Sequence, residues 1–114
     1  MMLVCLLGGT IVTSAASTYS YVTISKGQDK VESSSVGVST SAKYFAYNNS
    51  ASLGSLTMDA YACWTGWPYT KEYSISLSPS DSISHIETQS KNSSFYMVLK
   101  GNKQCDGEGY VEAR

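Results

Sequence analysis

A strict alternation of side chains through Leu56–Trp64 limits what this chain can fold into. Every second residue of this segment, LTMDAYACW, is apolar or small, beginning with Leu56, and most of the intervening residues are polar. A period of two is typical of a β-strand that buries one face in a core. Longer windows of the sequence lack the 3.6-residue period of an amphipathic helix. The pattern therefore predicts an all-β fold with Leu56–Trp64 as its central strand.

Shorter segments of the same kind lie on both sides of this strand. Gly27 and Pro79 mark turns between them, and Gln89–Ser93 is predicted to be a polar turn. The spacing predicts a small antiparallel β-sandwich of about seven or eight strands. The remaining predicted strands are Thr18–Ser25, Lys30–Val38 (with a loop as the alternative), Ser41–Asn48, Thr70–Leu77, Ser82–Thr88, Phe95–Lys100 and Glu108–Ala113.

The first residues differ from the rest of the chain. Met1–Ala16 carries no charge, contains the densest apolar run and ends in small residues, which is typical of a secretory signal peptide. Cleavage is predicted after Ala16 or one residue to either side, which leaves residues 17–114 as a single secreted domain. A buried first strand and a membrane anchor are the alternatives, but Gly8 and Gly9 interrupt the run and it is short for a membrane span. A lipoprotein acylation site at Cys5 is disfavoured because no small residues precede that cysteine.

Removal of the signal peptide would leave two cysteines, Cys63 and Cys105. An even pair in an exported chain indicates a disulfide, so we predict one bridge between Cys63 and Cys105. Two free thiols or half of a metal site are the alternatives. Two cysteines and a distant histidine make a poor zinc site, because zinc in proteins takes three or four such ligands.

The charge pattern excludes two classes of partner. The net charge is −1 and the lysines are scattered singly. Nucleic-acid binding and electrostatic attachment to an anionic membrane both need clustered basic residues. We predict no nucleic-acid partner and, after signal cleavage, no stable membrane insertion.

The sequence offers little for catalysis. His85 is the only histidine, and no Gly-x-Ser-x-Gly motif accompanies it, although Asp81 or Glu87 could complete a triad in principle. Asp59 and Glu72 are the most suggestive pair of carboxylates, yet nothing separates them from ordinary strand charges. The tripeptide Asp106–Glu108 supplies too few oxygens for a calcium site. The sequence therefore predicts no catalytic residues, no cofactor and no metal site.

Aromatic residues after the central strand are the sharpest functional signal. Trp67, Tyr69 and Tyr61 are predicted to form a binding surface, since flat rings stack on sugars and give rigid contact area to protein partners. Trp64 is predicted to lie in the core. The alternative is that Trp67 only caps the end of the sandwich. A second candidate surface is the set of tyrosines Tyr19, Tyr21, Tyr44 and Tyr47.

Together these features predict a secreted, non-enzymatic binding or interaction module whose partner is an extracellular glycan or protein. The alternative function is a small secreted effector, antimicrobial or toxin-like, that acts on cell envelopes. The near-neutral charge counts against the effector, because membrane-active proteins are usually basic.

The predicted signal peptide can be tested by mass. The exported protein is expected to begin at Ser17 or one residue to either side, because the small residues before Ser17 fit a signal peptidase site. Intact mass spectrometry of the protein recovered from the culture medium measures this directly. A mass that retains Met1 would contradict both the cleavage site and the secreted localisation.

Overall fold

The computed structural model describes residues 17–114, in which seven β-strands and no helix are found. The predicted signal peptide lies outside the described residues. No helix within residues 17–114 is long and apolar enough to cross a membrane. The strands are β1 (Tyr19–Ile24), β2 (Lys30–Glu32), β3 (Val36–Asn48), β4 (Leu56–Trp64), β5 (Thr70–Leu77), β6 (Ser82–Lys100) and β7 (Gly107–Ala113).

The alternating pattern produces the predicted central strand. β4 spans Leu56–Trp64 and buries one face, with Leu56, Met58 and Ala60 each 0 % exposed. Inward residues of β3, β6 and β7 pack against the same core, among them Tyr44, Phe95 and Val111. The prediction of an all-β, antiparallel fold is confirmed.

The strands form one sheet. All pairings are antiparallel, and the order is β1-β7-β3-β6-β4-β5, with β2 also paired to β6. The two separate sheets of the predicted sandwich are not shown. Instead the sheet brings its two halves together over a common core, where the Tyr44 hydroxyl of β3 donates a 2.7 Å hydrogen bond to the Tyr61 carbonyl of β4.

Strand β6 links the two halves of the sheet. Its first part, from Ser82 to Thr88, pairs with β3, and its last part, from Ser93 to Lys100, pairs with β4. The predicted turn at Gln89–Ser93 is wrong, because the strand continues through it. The polar segment instead marks an irregularity in the pairing of β6 with β3. Between the pairs Ser41–Thr88 and Ser39–Ser93, β6 has four residues, 89–92, whereas β3 has only Thr40.

Strand β3 approaches β6 closely just beyond this irregularity. Gly37 has φ of +146°, and a Cβ atom there would lie 2.7 Å from the Ser93 carbonyl oxygen. Only glycine fits that position without displacing backbone. This close approach lets Ser94 and Phe95 pair with β3 on one side and with β4 on the other.

The predicted disulfide between Cys63 and Cys105 is wrong. Cys105 is a buried free thiol whose Sγ lies 3.4 Å from the Ser55 carbonyl oxygen, just before β4 begins. Cys63 lies near the other end of β4, opposite Ser94. At about 3.3 Å per residue, more than about 20 Å of strand separates the two ends, whereas a disulfide needs Cα atoms within about 7 Å.

Asn48 joins three parts of the chain at the end of β3. It is fully buried, and its amide Nδ2 donates to the Gly54 carbonyl at 3.0 Å and to the Leu77 carbonyl at 2.9 Å. The buried Leu77 carbonyl is therefore satisfied by this side chain, which also binds the partly buried Gly54 carbonyl.

Replacing Asn48 with alanine is expected to lower the free energy of unfolding by about 1–3 kcal/mol, since it removes the side-chain donor of the buried Leu77 carbonyl and one donor of the Gly54 carbonyl. Denaturant unfolding measures the change. The control is Asn92→Ala, an exposed asparagine of β6, which is expected to cost less than about 0.5 kcal/mol. Equal effects of the two substitutions would contradict this role of Asn48.

Candidate functional site

A cavity of about 300 Å³ lies where β4 ends. Its walls come from β4, the start of β5, the loop between them and β6. The lining residues are Ala62, Cys63, Trp64, Trp67, Thr70, Glu72 and Gln89. Two indole rings thus face a carboxylate, a hydroxyl and a side-chain amide.

The loop after β4 brings the two tryptophans together. A tight turn is closed by a 2.9 Å hydrogen bond from the Trp67 backbone N–H to the Trp64 carbonyl. Gly66, with φ of +85°, supplies the left-handed conformation that this turn requires. Trp67 remains 58 % exposed and meets Trp64 edge-on, with ring centroids 5.9 Å apart and planes at 82°. The predicted binding residue Trp67 therefore presents a free ring at the mouth of the cavity.

A line of polar side chains from β6 fixes the orientation of Trp64. Its indole Nε1 donates to Oε1 of Gln89 at 3.0 Å, and Nε2 of Gln89 donates to Oε2 of Glu87 at 3.0 Å. The other oxygen of Glu87 lies 3.1 Å from Nε2 of His85. Residues 85, 87 and 89 share one face of the strand because strand side chains alternate. Trp64, predicted to be a core residue, is instead a half-buried wall of the cavity.

His85 packs against aromatic rings and is hydrogen-bonded to a carboxylate. Its ring lies flat on Tyr73, with centroids 3.8 Å apart and planes within 4°. Tyr44 is the next ring, at 6.3 Å. A nucleophilic triad needs a hydroxyl or thiol hydrogen-bonded to the histidine, and the partner of His85 here is the Glu87 carboxylate.

Asp59 and Glu72 have separate partners. Asp59 lies on the face of β4 away from the core, 2.8 Å from the Lys100 ammonium and 3.7 Å from that of Lys71. Glu72 accepts a hydrogen bond from the Thr70 hydroxyl. A register shift between Ala60 and Tyr61 gives β5 an extra residue here and lets Glu72 line the cavity. Within residues 17–114 no cluster of three metal-binding side chains is found.

The ion pairs control the protonation of Asp59. Burial alone would raise its pKa, but hydrogen bonds from Lys100 and Ser74, with the charges of Lys100 and Lys71, outweigh burial and hold the pKa below its ordinary value. The same hydrogen bond to Asp59 raises the pKa of Lys100 against the opposing effect of burial. The charged pair is thus favoured in the folded state.

These shifts predict the pH dependence of stability. Since the folded pKa of Asp59 is lowered, its contribution is present above the unfolded pKa of about 4 and is lost as the pH falls through the folded value. Asp59→Asn is therefore expected to lower the free energy of unfolding by about 1–3 kcal/mol at neutral pH, with a difference that shrinks in acid. Denaturant unfolding across pH measures this. A difference that stays constant in acid, or that the exposed Asp29→Asn reproduces, would contradict it.

The other two predicted binding residues lie apart from the cavity. Tyr61 stacks on Tyr96 at 4.8 Å with planes within 5°, and Tyr69 meets Tyr96 edge-on at 4.7 Å. The Tyr69 hydroxyl is also 2.9 Å from that of Ser35. Tyr61 occupies the face of β4 opposite to Ala60 and Ala62, because side chains alternate. The structure therefore places Trp67 with Trp64, and Tyr61 with Tyr69 on a separate aromatic cluster.

The second predicted surface is formed in part. Tyr19 and Tyr21 are about half exposed, at 49 % and 50 %, on the outer face of β1. Tyr110 joins them from β7, 5.4 Å from Tyr19. Tyr44 is fully buried and belongs to the core instead. Gln89 and Tyr110 are contributions that the sequence pattern missed, since each depends on long-range strand pairing.

Comparison with known proteins gives likenesses of fold. No family model and no curated protein sequence matches the chain. The solved structure of PirA is similar over 91 % of this chain and 100 % of that chain, with 10 % identity and a TM-score of 0.53. The Yersinia pseudotuberculosis-derived mitogen YPM is similar over 84 % of each chain, with 11 % identity and a TM-score of 0.55. At such low identity the likeness shows the fold alone.

Proposed function

We propose that this protein is a secreted, non-enzymatic binding module that takes a sugar unit of an extracellular glycan in the cavity between Trp64 and Trp67. The observation that carries the proposal is the pair of perpendicular indoles, one exposed and one held by Gln89, around a cavity of about 300 Å³. Cavities of this size suit small ligands.

Each wall of the cavity has a role in this proposal. The exposed ring of Trp67 stacks on the apolar face of the sugar, as aromatic faces do with flat apolar surfaces. Glu72 and Thr70 accept hydrogen bonds from sugar hydroxyls, and the amide of Gln89 supplies a further polar contact. Trp64 needs no ordering on binding, because its indole N–H is already hydrogen-bonded. A preordered wall reduces the entropy cost of binding.

Tryptophan fluorescence tests the site directly. The chain contains two tryptophans, and both line the cavity, so the signal comes from this site. Titration with glycan oligomers is expected to change the emission of the wild type. Trp67→Ala is expected to weaken binding at least roughly tenfold, since a buried aromatic contact contributes more than about 1.4 kcal/mol.

The control is Tyr19→Ala, which removes a similarly exposed ring on the outer face of β1 and is expected to leave affinity unchanged. Isothermal calorimetry measures both variants without relying on fluorescence. Loss of binding in Tyr19→Ala with retention in Trp67→Ala would contradict the proposed site and favour the tyrosine surface.

The likeness to a mitogen favours a second candidate function, a small effector that acts on other cells. Such an effector would dock on an envelope or a cell-surface protein, and Trp67 is again the most exposed aromatic side chain of residues 17–114. Growth inhibition of neighbouring cells, or dye release from vesicles, would support it. Glycan binding without either effect would favour the binding module.

A further inference from the structure

The cavity is lined by one carboxylate. Glu72 lines it, and its hydrogen-bond partner is the neutral hydroxyl of Thr70. Among the ion pairs of residues 17–114, none joins Glu72 to a lysine or arginine. A carboxylate that faces a cavity without a cation partner favours a positively charged ligand.

A second carboxylate, Glu87 of β6, lies behind the cavity wall, where it accepts a hydrogen bond from the cavity-lining Gln89. Burial first, and then the charges of Glu87, Tyr69 and Glu72, raise the pKa of the Tyr44 hydroxyl, which lies inside the core between these strands. Glu87 is hydrogen-bonded to His85 and Gln89, whereas the hydrogen bond to Glu72 comes from the Thr70 hydroxyl.

An ammonium group already lies over one of the rings that line this cavity. The Nζ atom of Lys91 is 4.7 Å from the centroid of the Trp64 ring, within the range of a cation–π contact. Lys91 is exposed and does not itself line the cavity. The indole of Trp64 is thus a surface on which this fold accommodates a positive charge, and the perpendicular ring of Trp67 gives a second aromatic wall.

We propose that the glycan bound here carries a protonated amine, so that the ligand is an amino sugar whose ammonium group lies between Glu72 and the tryptophan rings. This inference rests on the proposed glycan-binding function and names its ligand class. The sugar ring stacks on Trp67 while the ammonium group lies between Glu72 and the ring of Trp64. Acidic sugars are repelled by Glu72, and N-acetylation removes the charge that Glu72 recognises.

Two matched oligosaccharides separate this inference from the function on which it rests. Chitosan oligomers carry free amines, and fully N-acetylated chitin oligomers have the same ring and linkage without the charge. With wild-type protein, chitosan oligomers are expected to bind roughly 10- to 100-fold more tightly, which is the usual contribution of a hydrogen bond to a charged group. Calorimetry at a pH where the amine is protonated measures both.

Glu72→Gln keeps the shape of the side chain and removes its charge. It is expected to abolish the preference for chitosan over chitin, because the charge that attracts the ammonium group is gone. The control is Glu112→Gln, a half-exposed carboxylate of β7 outside the cavity, which is expected to change neither ligand.

The outcomes are distinct. Equal affinity for the two oligomers, or a preference that survives Glu72→Gln, would overturn the amino-sugar inference and leave glycan binding standing. Failure of every glycan tested, including both oligomers, would overturn the proposed function and this inference with it. A chitosan preference that Glu112→Gln also abolishes would show nonspecific charge attraction and would overturn the assignment to Glu72.

Discussion

The backbone hydrogen bonds of β6 are the constraint on which the rest of the structure depends. One continuous strand pairs with β3 over its first part and with β4 over its last part. A single strand shared in this way fixes the two halves of the sheet relative to each other through main-chain pairing. At Ser94 and Phe95 the strand has partners on both sides, and there glycine is required at position 37 of β3.

The candidate site follows from the way β6 passes from one partner to the other. Residues 89–92 have no matching length in β3, so this segment is released from β3 just before β4 becomes the partner. Gln89 and Lys91 lie in this segment and both contact Trp64 at the end of β4. The irregularity that satisfies the geometry of the sheet thus also supplies the polar wall of the cavity.

Local pattern was enough to predict much of the fold. The alternation in Leu56–Trp64 predicted β4 with its bounds, and the spacing of strands predicted an antiparallel all-β chain. The two separate sheets of a sandwich are not shown, and the predicted Cys63–Cys105 bridge is wrong. Sheet arrangement and cysteine pairing depend on long-range geometry, which a period-two pattern does not encode. The polar segment at 89–93 has the composition of a turn, yet it lies within the continuous strand β6.

The site was predictable only in part, for the same reason. Trp67 was identified because a tryptophan beside a turn is visible in the sequence. Tyr61 and Tyr69 lie near it in sequence but on a different aromatic cluster, because alternation in β4 turns Tyr61 away from Trp64. Gln89 is 25 residues from Trp64, and only the β4–β6 register brings the two together.

The most direct test of this account is nuclear magnetic resonance of the labelled protein during glycan titration. The two indole N–H resonances report on Trp64 and Trp67 separately, and the side-chain amide of Gln89 reports on the network that holds Trp64. The account predicts that all three shift together while resonances of Tyr19, Tyr21 and Tyr110 stay unchanged. Unchanged indole resonances with shifts confined to those tyrosines would contradict it, because binding would then use the outer face of β1 and β7.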